Sequence, residues 1–204
     1  MAEEKKIIPE QEEGIQTDTE SSVSLESREA ALKHYQVVRE RLLNVKNWRQ
    51  VSKVIPSDFK LIDSAGKEVS RPVEEGDYFK IDIPGPGSDS GEGNDWVRVH
   101  RIEETGNSTT DDESIAIHVI PSANPQNAST EVSHFFDDKA SSTFVVRREG
   151  TKIFASVHGR NENPNTETEN LADKVRNAFV AIGAMLGFSK AQWKSLVEGL
   201  VEKD

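Results

Sequence analysis

Five histidines are the side chains of this sequence best suited to acid–base chemistry or metal binding, because imidazole titrates near physiological pH and ligates metals. They are His34, His100, His118, His134 and His158. His100, His118 and His158 fall in segments that alternate between apolar and polar residues, which is typical of strands. If those strands are neighbours, the imidazoles share a face with Asp82 or Arg98. No His-x-His or His-Glu-x-x-His spacing is present, which favours structural roles, and His134 is expected on the solvated surface.

The run His158–Asn165 is the densest polar cluster outside the N-terminal segment. A helix is predicted to begin at Thr166, so Arg160 can bind a carboxylate or phosphate beside a helix N-terminus. Alternatively, Arg160 holds Glu162 or an acidic residue of another loop, and the asparagines supply turns and caps. The candidate ligand-binding residues are Trp96, His100, His118, His158, Arg160, Asn161 and Glu162.

Residues 84–95 form a loop rich in glycine, proline and acidic residues. Its prolines remove backbone donors, and it has no lysine, so it is neither a P-loop nor a dinucleotide-binding fingerprint. Its oxygens do not follow the EF-hand spacing for Ca²⁺. The composition favours a mobile connector, with a gate or partner-contact loop as the alternative.

Composition excludes several other classes of function. The chain has no cysteine, which rules out disulfides and thiolate chemistry and fits a cytoplasmic location. No Gly-x-Ser-x-Gly elbow and no cofactor-binding motif is present. The net charge is −11, no basic stripe is visible, and no apolar run is long enough for a membrane span. The sequence therefore predicts no metal, no cofactor, and neither nucleic acid nor a membrane as partner.

Two helical regions enclose the strand-rich part of the chain. Ser27 is a plausible N-cap for a helix over about 28–47, which is followed by Trp48 as a lid on the core. At the other end, capping boxes at Thr166 and Ser189 predict two helices separated at Gly187. Short strands with tight turns between these regions predict an antiparallel sheet. The candidate strands are 51–55, 59–62, 68–73, 78–83, 96–102, 114–120, 131–136, 142–148 and 152–158.

The predicted architecture is α+β: an antiparallel sheet of about seven strands flanked by an N-terminal helix and a C-terminal helix pair. Residues 1–26 carry eight acidic residues and two lysines and are predicted to be a disordered acidic leader, and 27–204 a single domain. The layout resembles helix-grip domains of the START and plant-allergen type, in which a curved sheet wraps a C-terminal helix over a cavity. It departs from them because no strand is predicted before the first helix and the C-terminal helix is broken at Gly187.

Three classes of function are consistent with these features. The favoured one is a non-catalytic binding domain that holds a partner protein or an apolar small ligand between sheet and helices. The second is a small-molecule enzyme with a polar pocket near the 84–95 loop and His158–Arg160. The third is a structural or assembly subunit, and the oligomeric state is left open. The absence of catalytic motifs favours a protein that is not an enzyme.

Overall fold

The computed structural model describes residues 7–52, 57–82, 90–163, 165 and 189–203. The strands are β1 (Ile15–Ser24), β2 (Asp58–Ile62), β3 (Tyr78–Asp82), β4 (Asp95–Gly106), β5 (Asp112–Pro121), β6 (Ser141–Glu149) and β7 (Lys152–Glu162). The helices are α1 (Arg28–Leu43), a 3₁₀ turn (Val45–Asn47), α2 (Trp48–Ser52) and α3, which is described over 189–201. None of these helices is long and apolar enough to cross a membrane.

The strands form one antiparallel sheet in the order β1-β7-β6-β5-β4-β3-β2. The α+β class and the antiparallel sheet predicted from the sequence are therefore confirmed. From β2 to β7 each strand pairs with the next one in the chain, and the predicted Glu149-Gly150 turn joins β6 to β7. Strand β1 closes the order by pairing with β7, which joins two segments that lie far apart in the chain.

The helices cover one side of the sheet, which we call the inner face. It carries the apolar residues of the strands, including Phe79, Val99, Ile117, Phe144 and Val157. The opposite side, the outer face, carries the alternate residues of the same strands. An antiparallel sheet needs only one face covered by a core, so the polar residues of this chain should collect on the outer face.

The predicted start of α1 is confirmed, because Ser27 Oγ accepts a hydrogen bond from the Ala30 N–H at 3.1 Å. Trp48 is 1% exposed and lies over the inner face, as expected of a core lid. Its indole N–H donates to the Leu42 carbonyl at 3.0 Å, and its ring meets Phe59 and Phe144 with centroids 5.4 and 4.8 Å away. Buried aromatic pairs of this kind stabilise a core beyond their area alone.

The C-terminal helix α3 packs on the same core through Leu196, Val197, Leu200 and Val201. Gln192, predicted to close a capping box with Ser189, accepts a hydrogen bond from Ser57 Oγ at 3.0 Å and ties α3 to the start of β2. The helix predicted over 166–186 and its stop at Gly187 lie outside the described residues.

Three predicted strands are wrong. Residues 51 and 52 belong to α2, and 53–56 lie outside the described residues. In 68–73 the only strand-like pairing described is a single bridge from Glu68 to Ile62, and the Val73 N–H donates to the Leu43 carbonyl. Residues 131–136 form a loop whose Ser133 carbonyl accepts from the Trp96 N–H. In the last two cases a contact with another element replaces a ladder that the local sequence favours.

The disordered leader predicted for 1–26 must be corrected for residues 15–24. They form β1, which pairs with β7 from Ile15↔Glu162 to Ser24↔Lys152. The open edge of β7 offers backbone partners to this segment, although the segment has few apolar residues of its own. Since β1 precedes α1, one of the two departures from the helix-grip layout disappears. The other, at Gly187, lies outside the described residues.

Candidate functional site

The outer face holds a row of polar side chains that crosses four strands. His118 pairs with Thr143, Thr143 with His158, and His158 with Asp18. His118 Nδ1 lies 3.0 Å from Thr143 Oγ1, and the ring of His100, at a β-bulge, lies 5.8 Å from that of His118. His118 and His158 therefore lie on the outer face of strands separated by β6, and the His100 ring reaches His118 from the bulge. Within the described part of the chain, no group of His, Asp and Glu is arranged to hold a metal ion.

One end of this row contains three side chains joined by two hydrogen bonds. His158 Nδ1 lies 2.6 Å from Asp18 Oδ1, and His158 Nε2 lies 2.9 Å from Ser156 Oγ. Partial burial disfavours ionisation of Asp18, but hydrogen bonds from His158, Gln16 and Arg160 outweigh it and hold the pKa of Asp18 below its usual value. Asp18 is therefore a stable anion at the end of the chain of hydrogen bonds.

Arg160 completes this cluster from β7. Its guanidinium donates to Asp18 Oδ1 at 2.8 Å and to the carbonyls of Thr17 and Gly159 at 3.1 and 2.7 Å, and the residue is 9% exposed. Of the two roles left open by the sequence, these contacts match the structural one, with Asp18 as the acidic partner. Arg160 fixes β1 on β7 rather than presenting an open anion site.

Glu162 and Asn161 lie at the end of β7 and have different surroundings. The Glu162 carboxylate accepts a hydrogen bond from Thr17 Oγ1 at 3.2 Å, and burial raises its pKa to about 7. It lies over Gly159, where a Cβ would collide with Glu162 Oε1 and Thr17 Oγ1, so a larger residue there would have to displace both side chains. Asn161, at φ +54°, accepts from the Glu12 N–H at 2.8 Å. Asn161 therefore holds the N-terminal segment against the sheet.

The N-terminal residues 7–14, which we call the leader segment, lie across the outer face. Ile7 is 5% exposed and packs with Ala116 and Val145. At the other end of the segment, Glu13 forms an ion pair with Lys139 at 2.6 Å. Thr143, on the outer face between these contacts, is fully buried. The leader segment thus covers polar residues that an uncovered sheet face would expose to water.

Trp96 is also on the outer face, but it is completely buried. Its indole N–H donates to the Gly91 carbonyl at 3.3 Å, and Lys80 Nζ lies 5.4 Å from the ring centroid. Residues 90–95 of the loop predicted over 84–95 therefore fold onto Trp96, which leaves no surface of the ring for a ligand. Residues 84–89 lie outside the described residues.

A separate pocket of about 200 Å³, part of it open to solvent, lies where β4, β5 and β6 meet the loop before β6. Its lining is mainly apolar and consists of Val97, Val119, Pro121, His134, Phe136, Ala140, Ser141 and Ser142. Ser141 is 5% exposed, and its Oγ has no hydrogen-bond partner among the described residues. Since buried hydroxyls are nearly always paired, the Ser141 hydroxyl needs a partner in the pocket, either a water or a polar group of a bound molecule.

Two titratable groups flank this pocket. His134 Nδ1 accepts a hydrogen bond from the Phe136 N–H at 3.0 Å, and desolvation lowers its pKa to about 3, so the ring is neutral with its proton on Nε2. Asp95 lies two residues before Val97 on β4, and burial raises its pKa to about 7. Its Oδ2 has no hydrogen-bond partner among the described residues. The polar groups around the pocket are thus uncharged or only partly charged at neutral pH.

These pocket residues were missed by sequence reasoning. His134 was predicted to be solvated surface, but it is only partly exposed, because the loop folds it against the pocket. Ser141 and Asp95 begin strands and carry no local signal of function. Their burial depends on contacts between distant segments, so a single sequence does not reveal it.

No protein-family model and no curated protein matches this chain. Similar solved structures include a protein from Thermus thermophilus, with 13% identity over 92% of this chain and 94% of that one, and a TM-score of 0.40. The Zhui aromatase/cyclase from a Streptomyces species has 9% identity over 91% and 94%, with a TM-score of 0.38. Ara h 8.0201 has 13% identity over 92% and 99%, with a TM-score of 0.35. At TM-scores this low, these likenesses carry no argument about the function of this chain.

Proposed function

We propose that this chain is a binding domain for a small, uncharged, largely apolar molecule that carries a hydrogen-bond acceptor. The ligand occupies the pocket between β4–β6 and the loop that contains His134 and Ala140. The observation that carries the proposal is the Ser141 hydroxyl, unpaired among the described residues, on an otherwise apolar wall. Pockets that select small molecules combine apolar lining with few, well-placed polar groups, and this pocket has that composition.

The lack of charged side chains in the pocket lining favours an uncharged ligand. Among the described residues, the lining contains no Lys, Arg, Asp or Glu, and its one histidine is neutral. A bound anion would meet no compensating cation in that lining, and the partly ionised Asp95 nearby would repel it. An acceptor oxygen on the ligand can instead take the Ser141 hydroxyl proton, which satisfies a group that is costly to leave unpaired.

The 200 Å³ of the pocket includes space open to solvent, and its cavity volume is about 10 Å³, roughly room for one water, so a ligand of the bulk of a substituted benzene enters only when the loop that carries His134 and Ala140 moves aside. Acetophenone combines an apolar ring with one carbonyl acceptor and serves as a probe. In a ¹H–¹⁵N NMR titration we expect saturable shifts of the amides of Val119, Ala140 and Ser142. Filling the pocket with Ala140→Leu should abolish these shifts.

A matched control places the same extra bulk elsewhere. Ala30→Leu, in the first turn of α1 and far from the pocket, should leave the titration unchanged. If acetophenone shifts no pocket amide, or if Ala140→Leu binds it as wild type does, the proposed function is wrong.

A further inference from the structure

Ser156, His158 and Asp18 form a hydrogen-bonded line on the outer face. Asp18 is an anion and only accepts, so His158 Nδ1 carries the proton of the 2.6 Å hydrogen bond. When the ring carries only that proton, Nε2, which lies 2.9 Å from Ser156 Oγ, accepts the hydroxyl proton. A hydroxyl that donates to an imidazole oriented by a carboxylate is the arrangement of an activated serine nucleophile.

Regular structure holds the three groups in place. Ser156 and His158 are alternate residues of β7, which is paired on both sides, and Asp18 is the direct cross-strand partner of His158 on β1. Arg160 fixes the carboxylate of Asp18 from the far side at 2.8 Å. Catalytic geometry requires rigid positioning of this kind, and strands supply it better than loops.

Arg147 lies on the outer face two residues from Val145, the cross-strand partner of Ser156. The Arg147 guanidinium lies 3.7 Å from the ring centroid of Phe154, which is two residues before Ser156 on the same face. Arg147 is itself held by Glu20 and Glu149 at 3.2 and 3.1 Å.

The leader segment covers this arrangement. Ser156 is 4% exposed, and its cross-strand partner on the outer face is Val145, on which Ile7 packs. A substrate that approaches the Ser156 hydroxyl from the outer side must therefore displace Ile7. The sequence contains no Gly-x-Ser-x-Gly motif at Ser156. The three side chains come instead from β7 and from β1, an N-terminal strand 140 residues away.

We propose that Ser156 is the nucleophile of an acyl-transfer site that is covered by the leader segment and accepts small esters. Ser156 Oγ bonds to the ester carbonyl carbon while its proton passes to His158 Nε2. The carbon–oxygen bond to the alcohol then breaks, and His158 returns the proton to the departing oxygen. Water, deprotonated by His158, releases the acid and restores the serine, so ester and water give acid and alcohol. This inference is independent of the pocket at Ser141.

The test uses the full chain and a fluorophosphonate, which forms a phosphonyl–serine bond with loss of fluoride at activated serines. We expect a single adduct, mapped to Ser156 by peptide mass spectrometry. Ile7→Asp should uncover the site and label at least about tenfold faster than wild type, because a buried charge drives the leader segment from Val145. His158→Gln should slow labelling by roughly 100-fold, which is the usual contribution of a general base.

Three further variants separate chemistry from structure. Ser156→Ala should abolish the adduct, whereas Ser22→Ala, which removes a serine of the neighbouring strand β1, should leave it unchanged. Asp18 is a positioning residue, and Asp18→Asn should move half-maximal labelling to lower pH because the imidazolium loses its anion. Circular dichroism verifies that each variant is folded. If folded wild type and Ile7→Asp both lack an adduct on Ser156, or if His158→Gln is labelled at the wild-type rate, the proposal is overturned.

Discussion

The Arg148 guanidinium donates to Glu113 Oε1 over 2.6 Å in the core, where Arg148 is completely buried and Glu113 is 6% exposed. The two residues are direct cross-strand partners on β6 and β5. The remaining donors of Arg148 reach the carbonyls of Thr110, Asp111 and Gly150 at 2.8–3.0 Å. This ion pair closes the inner face at the end of the sheet opposite the Ser141 pocket.

Removing one partner of this pair should be severe. Arg148→Met leaves Glu113 buried without a counter-charge, and we expect a loss of roughly 3–5 kcal/mol in the free energy of unfolding by urea. The double variant Arg148→Met/Glu113→Leu should recover a large part of that loss. Lys33→Met, at the exposed pair with Glu29, should leave the unfolding midpoint unchanged. A small effect of Arg148→Met alone would show that the charges are hydrated.

Glu162 should make stability depend on pH. Its pKa is about 7 in the folded protein, above the 4.5 of an ordinary glutamate, so the folded state binds the proton more tightly. The contribution of Glu162 to stability is complete below pH 4.5 and is lost as the pH rises through 7. Glu162→Gln removes this loss. Relative to wild type, the variant should therefore gain roughly 2–3 kcal/mol between about pH 4.5 and 8 in urea unfolding.

The control for this pH dependence is Glu131→Gln, an exposed loop position. The free energy of unfolding of this variant should change with pH in the same way as that of wild type across the same range. A constant difference between Glu162→Gln and wild type would mean that the pKa of Glu162 is the same in the folded and unfolded states.

Asn161 should control the attachment of the leader segment. Its side chain accepts from the N–H groups of Glu12 and Glu13 at 2.8 and 3.3 Å, and its φ of +54° suits glycine. Asn161→Gly therefore removes hydrogen bonds without backbone strain. We expect the amides of Glu12 and Glu13 to exchange hydrogen about tenfold faster, as the loss of one or two net hydrogen bonds implies.

Asn107→Gly provides the comparison, since Asn107 makes a similar side-chain contact with the Thr109 N–H in a distant turn. The exchange of the amides at residues 12 and 13 should not change in that variant. Equal exchange in Asn161→Gly and wild type would contradict the attachment described here.

The part of this fold that the sequence predicts is the part set by local signals. Ser27 marks the start of α1, and period-two alternation marks β3 through β7, because capping and alternation act within a few residues. Strand β1 has few large apolar residues. It is stabilised by the open edge of β7, which lies far along the chain, so local signals do not reveal it. The residues of the candidate site also fall into those that local sequence signals reveal and those that they do not. His158 and Arg160 stood out as a polar cluster, whereas Asp18, Ser156 and Ser141 gain their roles only from strand pairing and burial.

The most direct measurement compares acetophenone with ethylbenzene, which has a similar shape but no acceptor, by NMR titration of wild type and Ser141→Ala. If the Ser141 hydroxyl binds the ligand, wild type should favour acetophenone by about fivefold, the value of one net hydrogen bond. Ser141→Ala should lose that preference and still bind ethylbenzene. Equal affinities of wild type for the two probes, or the same preference in Ser141→Ala, would contradict the proposed binding site.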